Sequence, residues 1–193
     1  FLFHRETVSI NSFVCDLLKA MNEDEIELFL ANTVNKKEVL NGEKHLVGKI
    51  VYWEYMQSIY NRMQSGTCNL SQDARAYLCM GILWTGSQHL IAFATLESMV
   101  QKIAPEIDDS LLCLKLYTEW GIWYAKNKHD KLAEKKFLTV IAHGRQQIPA
   151  RTELGRLLSR QKGREGEAEQ FLRENLAIDP KNIQSRTELG RQL

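Results

Sequence analysis

Apolar residues recur along most of the chain at helical spacing, and few segments show the alternation of a strand. Val14, Leu17, Leu18 and Met21 fall on one face of a first helix. Ile26, Phe29 and Leu30 share a face of the next, with Leu28 set to one side. A third helix spans about residues 44–64, bounded by the turn signals Asn41-Gly42 and Gln64-Ser65-Gly66-Thr67. Its Val51, Tyr52, Trp53, Tyr55, Met56 and Tyr60 point to burial on more than one side. From about residue 70 the pattern predicts helical hairpins. One helix covers Asp73 to Trp84, Thr85-Gly86-Ser87 breaks it, and Gln88 to Lys102 returns. Asp108-Asp109-Ser110 caps a helix that runs to about Lys126. Asn127-Lys128-His129-Asp130 turns the chain, and residues 131–144 return. A third pair occupies 150–161 and 165–177. Asp179-Pro180-Lys181-Asn182 closes it, and a further helix starts near Ile183. Pro105, Pro149 and Pro180 all fall at helix boundaries, where proline is tolerated.

The hairpins repeat. Arg151-Thr152-Glu153-Leu154-Gly155-Arg156 returns 35 residues later as Arg186-Thr187-Glu188-Leu189-Gly190-Arg191, and Glu119-Trp120-Gly121 precedes Glu153-Leu154-Gly155 by 34. A period near 34 residues is that of stacked helix pairs. Leu154-Gly155, Gly163, Ala168, Leu172, Leu176 and Pro180 stand at the offsets of the tetratricopeptide repeat. Tyr117, Trp120-Gly121, Tyr124, Ala133, Phe137 and Val140 form a second copy without the closing proline. Tyr77, Met80-Gly81, Trp84, Ala92, Leu96 and Pro105 fit more loosely. The chain resembles that family. The resemblance implies an all-α, right-handed superhelical array from residue 70 to the end, its last repeat incomplete, with residues 1–69 as an irregular helical cap. Gly81, Gly121, Gly155 and Gly190 are expected where a side chain would force helices apart, opposite the small Ala92, Ala133 and Ala168. Tyr117, Trp120, Tyr124 and Phe137 are expected in the core.

Composition changes this picture little. The 193 residues are 44% apolar, and the formal net charge is +1. The charge is uneven: residues 1–100 carry 8 Lys/Arg against 11 Asp/Glu, and residues 101–193 carry 17 against 13. The acidic run Glu23-Asp24-Glu25-Ile26-Glu27 suits a helix start. Cys15, Cys68, Cys79 and Cys113 are too far apart in sequence for a zinc knuckle or redox dithiol, and read as core or half-buried thiols of a reducing, cytoplasmic setting. No apolar run is long enough to span a membrane. His4, His45, His89, His129 and His143 lack metal-ligand spacing. No GxxxxGK[ST], HExxH or GxSxG string occurs, and Gly163-Arg164-Glu165-Gly166 follows no strand. Neither catalysis nor a cofactor is expected. Both ends read as cut from a longer polypeptide.

The resemblance also implies where a partner would bind. The first helix of each pair lines a concave face, which assigns Thr118, Glu119, Ile122 and Lys126, then Thr152, Glu153, Arg156 and Arg160, then Thr187, Glu188 and Arg191 to a groove. Lys126, Arg156, Arg160 and Arg191 would form a basic stripe interspersed with Glu119 and Glu153. Arginine pairs both oxygens of a carboxylate or phosphate. The family's receptors for C-terminal peptide carboxylates use Lys and Asn at groove positions; this chain has Thr118, Thr152, Ile122 and Arg156 there. The expected function is a non-catalytic scaffold for a peptide or protein partner. The alternative is a regulatory or nucleic-acid-associated module, motivated by the basic second half; it lacks a basic tract with free aromatic residues for stacking bases. Leu189 and Leu193 would lack second-helix cover, which predicts either self-association through the last repeat or fraying of its helix.

Overall fold

A computed structural model describes residues 20–35, 46–88, 91–144 and 147–191, with the backbone alone at 33–35, 46–51 and 88. The expected face of Val14, Leu17 and Leu18, the Asn41-Gly42 turn, Cys15, His4, His45, His89 and Leu193 lie outside the described residues, as does the side chain of Val51. The elements described are all α-helices: α1 (Glu23–Asn35), α2 (Leu46–Gln64), α3 (Gln72–Gln88), α4 (Phe93–Ile103), α5 (Leu111–Lys126), α6 (Asp130–Ala142), α7 (Ile148–Leu158), α8 (Glu165–Ile178) and α9 (Ile183–Gly190). They divide into two compact units, Phe1–Glu106 and Ile107–Leu193.

In the first unit α3 packs against α1, α2 and α4. It is buried almost all round, from Ala74 and Ala76 through Leu78, Cys79, Met80, Ile82 and Leu83. α1 begins with a reciprocal cap. Asn22 Oδ1 accepts the Glu25 N–H at 3.0 Å, and Glu25 Oε2 accepts the Asn22 N–H at 2.8 Å. Ile26 and Leu30 are buried, the Phe29 ring lies 4.9 Å from that of Tyr55, and Leu28 stands in solvent, as the spacing predicted. The acidic run does more than suit a helix start. Glu27 accepts the Ser71 N–H at 2.7 Å and Glu23 accepts the Asn69 N–H, which ties α1 to the entry of α3.

Two expectations fail here. Thr85-Gly86-Ser87 does not break the helix. The Thr85 and Ser87 hydroxyls donate to the Gly81 and Leu83 carbonyls one turn back, both at 2.7 Å, so these polar residues are satisfied inside α3. Gly86 packs closely, because a Cβ there would lie 2.3 Å from Leu96 Cδ2. The longer α3 shifts the start of α4 to Phe93. Ala92 is therefore an exposed N-cap residue and not the small packing position expected of it. Gly81 does admit a neighbour, but that neighbour is Met56 of α2, not a residue of α4.

The second unit follows the repeat closely. α5 pairs with α6 and α7 with α8; α6 also packs on α7, and α9 packs on α8 and α7. Ser110 caps α5 by accepting the Cys113 N–H at 3.2 Å, and Asn182 caps α9 by accepting the Ser185 N–H at 2.8 Å. Trp120, Tyr124, Ala133, Phe137, Val140, Leu154, Ala168 and Leu172 form the core. Tyr117 is half-buried, and Lys136 Nζ lies 3.4 Å from the centre of the Trp120 ring and 4.4 Å from that of Tyr117. Gly121 and Gly155 sit where expected, against Phe137 and Leu172. Gly190 does not, since nothing lies within 4 Å of a Cβ built there. Both hairpin turns need a left-handed residue: Gly163 at φ 86° between α7 and α8, and Lys128 at φ 63° at the equivalent point between α5 and α6. Arg164 then joins the two pairs. Its guanidinium grips both carboxylate oxygens of Glu134 on α6, at 2.8 and 2.9 Å, and also reaches Glu167.

Candidate partner-binding cleft

The cleft lies within the second unit and is built from the ends of α7 and α9 and the start of α8. Arg156, Ser159, Arg160, Glu165, Glu188 and Arg191 line a volume of about 460 Å³. Arg156 stands in the last turn of α7 and Arg160 in the turn just beyond its end, and both line this cleft. Residue 191 is the counterpart of 156 in the next repeat.

The cations are not equivalent. Arg156 is half-buried and paired with Glu153 one turn back, and Arg191 is paired with Glu188 at 2.7 Å. Arg160 is exposed, and its guanidinium has no hydrogen bond or ion pair among the described residues. Glu165 contributes a carboxylate on the facing wall. Backbone N–H groups of Glu165 itself and Gly163 hold that carboxyl below its ordinary range, so it stays charged. The cleft thus offers one unengaged guanidinium, two arginines with half-satisfied forks, and fixed negative charge beside them. Such a lining suits a ligand carrying both an anionic and a cationic group. A polyanion would meet Glu165 and Glu188 as it entered.

The sequence placed Arg156, Arg160 and Arg191 in one stripe, and they share this cleft. Glu153 touches it only through Arg156. Glu119 is half-buried on α5 and Lys126 is exposed at the last turn of that helix; neither lines the cleft. Thr118 and Thr152 were expected to face the groove and do not. Both are buried, and each hydroxyl donates to the carbonyl four residues back, Leu114 at 2.8 Å and Ile148 at 2.9 Å. Thr187 makes the same bond to Ile183 but is exposed. Leu189 is half-buried.

Ser159 and Glu165 were missed, as was a polar cluster behind the cleft. Asn175 on α8 is fully buried; its amide nitrogen lies 2.9 Å from Thr152 Oγ1 and 3.2 Å from Ser185 Oγ, and so joins α7, α8 and α9. The signal for Asn175 was present: Ala168, Leu172 and Asn175 follow one helical stripe.

Among the described residues no group of three or more His, Cys, Asp or Glu is placed to hold a metal ion. Cys68, Cys79 and Cys113 are buried and form no disulfide. No described helix is long and apolar enough to cross a membrane. Comparison with protein-family models, with curated proteins and with solved structures finds no match to this chain.

Proposed function

We propose that this chain is a tetratricopeptide-like α-solenoid of right-handed twist that acts in the cytoplasm as a non-catalytic scaffold, with residues 1–69 capping the repeats. The packing of α1 and α2 on α3 supports the capping role. The reading of function rests on one observation: Arg156, Arg160 and Arg191, from successive repeats, converge on a single cleft beside two carboxylates. In this reading the ligand is a peptide segment of mixed charge. Its acidic group meets Arg160, and a basic group lies toward Glu165 and Glu188. Glu153 holds Arg156 in place, and Glu119 and Lys126 extend the face toward the preceding repeat. Nucleic acid is the weaker candidate because of the acidic wall.

Reversing charge at both Arg156 and Arg160 tests this. The double variant Arg156→Glu, Arg160→Glu should lose binding to a partner retrieved with the native chain while keeping its helix content by circular dichroism. Retained binding at low and moderate salt would remove the cleft as the site.

A further inference from the structure

Arg151 is only 8% exposed, yet little of its guanidinium is engaged. Among the described residues its one hydrogen bond runs from Nη1 to Glu174 Oε2, at 2.6 Å. Nε is enclosed without an acceptor, and Nη2 donates to no described residue. Most of the N–H donors of this cation are therefore unpaired. Glu174 differs, because both its oxygens are engaged: Oε2 takes Arg151, and Oε1 takes the Gln170 amide at 3.0 Å. Packing does not require a guanidinium here. The counterpart of Arg151 one repeat earlier is Tyr117, an aromatic ring with Lys136 Nζ 4.4 Å from its centre. Replacing a buried ion pair by apolar groups is often neutral or stabilising, so Arg151 is not explained by stability.

Arg151, Glu174, Ala177 and Ile178 line a pocket of about 440 Å³ at the start of α7 and the end of α8. That volume falls within the range of small-molecule sites. Ala177 and Ile178 are exposed and give one wall an apolar surface. The pocket lies away from α9. Thr152, the next residue on α7, turns toward α9 and lies 3.1 Å from Ser185 Oγ, and successive helical side chains diverge by about 100°. It shares no residue with the Arg156–Arg160–Arg191 cleft, so its test does not depend on that reading.

We infer that this pocket binds an aliphatic monocarboxylate. The carboxylate accepts from Arg151 Nη2, and the hydrocarbon chain lies on Ala177 and Ile178. Other ligand classes fit less well. A cation finds both Glu174 oxygens engaged and the guanidinium beside them. An uncharged apolar molecule leaves the Arg151 N–H groups unpaired. A dianion such as phosphate is repelled more strongly by Glu174 and gains nothing from Ile178.

Hexanoate is the probe, titrated into the native chain and read by NMR of isotope-labelled alanine and isoleucine methyl groups. The Ala177 and Ile178 methyl resonances should shift together and saturate, with Kd on the order of 1 mM for a ligand of this size. Hexanol and hexylammonium keep the chain and change the head group, and should bind at least about tenfold more weakly. Arg151→Met should weaken hexanoate by at least about tenfold while keeping the native helix content. Ile178→Glu alters an exposed side chain and sets a negative charge at the pocket; it should weaken hexanoate to a similar degree, and it decides the matter alone if Arg151→Met does not fold. Glu174→Gln removes the competing charge and should tighten hexanoate by about threefold or more. A guanidinium that serves only to anchor α8 would give no such gain. Failure to saturate at concentrations roughly tenfold above the expected Kd overturns the inference. So does hexanol binding as tightly as hexanoate, or an affinity that Ile178→Glu leaves unchanged.

Discussion

Gly121 faces the ring of Phe137 so closely that a Cβ at position 121 would lie 2.5 Å from Cε1. Phe137 is fully buried between α5 and α6 and has nowhere to retreat. Gly121→Ala should therefore destabilise the chain by about 1–2 kcal/mol in urea unfolding, despite alanine's helical preference. Gly166, with open space around it on α8, should do the reverse: Gly166→Ala is expected to stabilise by about 0.5–1 kcal/mol.

The turn pair Lys128 and Gly163 gives a second contrast. Both are left-handed, and only one is glycine. Lys128→Gly should raise stability by up to about 1 kcal/mol, and Gly163→Ala should lower it by about 1–2 kcal/mol. Thermal unfolding of the two variants checks the pair.

Asn175 joins three helices through its amide, and it is the donors that the site requires. Asn175→Asp should cost more than Asn175→Ala, because the aspartate buries a charge and has no amide hydrogen to give Thr152 and Ser185; the alanine variant is expected to lose about 1–3 kcal/mol. An aspartate variant as stable as wild type would show that the amide is not donating to Thr152 and Ser185.

Much of the second unit was legible because one cause repeats. The spacing of Trp120-Gly121, Leu154-Gly155, Ala133 and Ala168 encodes close helix contacts, and local turn chemistry at Ser110, Gly163 and Asn182 marks the boundaries. What was misread follows from polar residues whose bonds stay inside helices. Thr85 and Ser87 resemble a break until their hydroxyls are seen to bond one turn back. Thr118 and Thr152 were assigned to the groove by the register of the resemblance; both are buried instead, and the same internal bond satisfies their hydroxyls there. The cleft was legible in its arginines, since their register is fixed by the repeat. Glu165 was not, because a first-turn acid on a neighbouring helix carries no sign of which cleft it faces.

Arg164 makes the fold sensitive to acid. Its hydrogen bond holds the Glu167 carboxyl below the ordinary value near 4.5, and backbone N–H groups do the same for Glu165. Both folded values are depressed, so their stabilisation is present above that ordinary value and is lost as pH falls through the lowered ones. Arg164→Gln should flatten the acid limb of a stability profile from about pH 7 to about pH 2 by removing the Glu167 part, and should leave the Glu165 part in place. An unchanged profile would show that Arg164 does not set the Glu167 carboxyl.

In the proposed function the Arg156–Arg160–Arg191 cleft binds a mixed-charge peptide, and Arg160 is the residue on which that binding turns. A peptide selected from a random library against the native chain supplies the ligand, and calorimetric titration against native and Arg160→Glu chains supplies the measurement. The selected peptide is expected to carry an acidic residue, Arg160→Glu to weaken its binding by roughly 10- to 100-fold, and exchange of that acidic residue for lysine to recover binding to the variant. Equal affinity for the native and Arg160→Glu chains would remove Arg160, and with it this cleft, as the binding site.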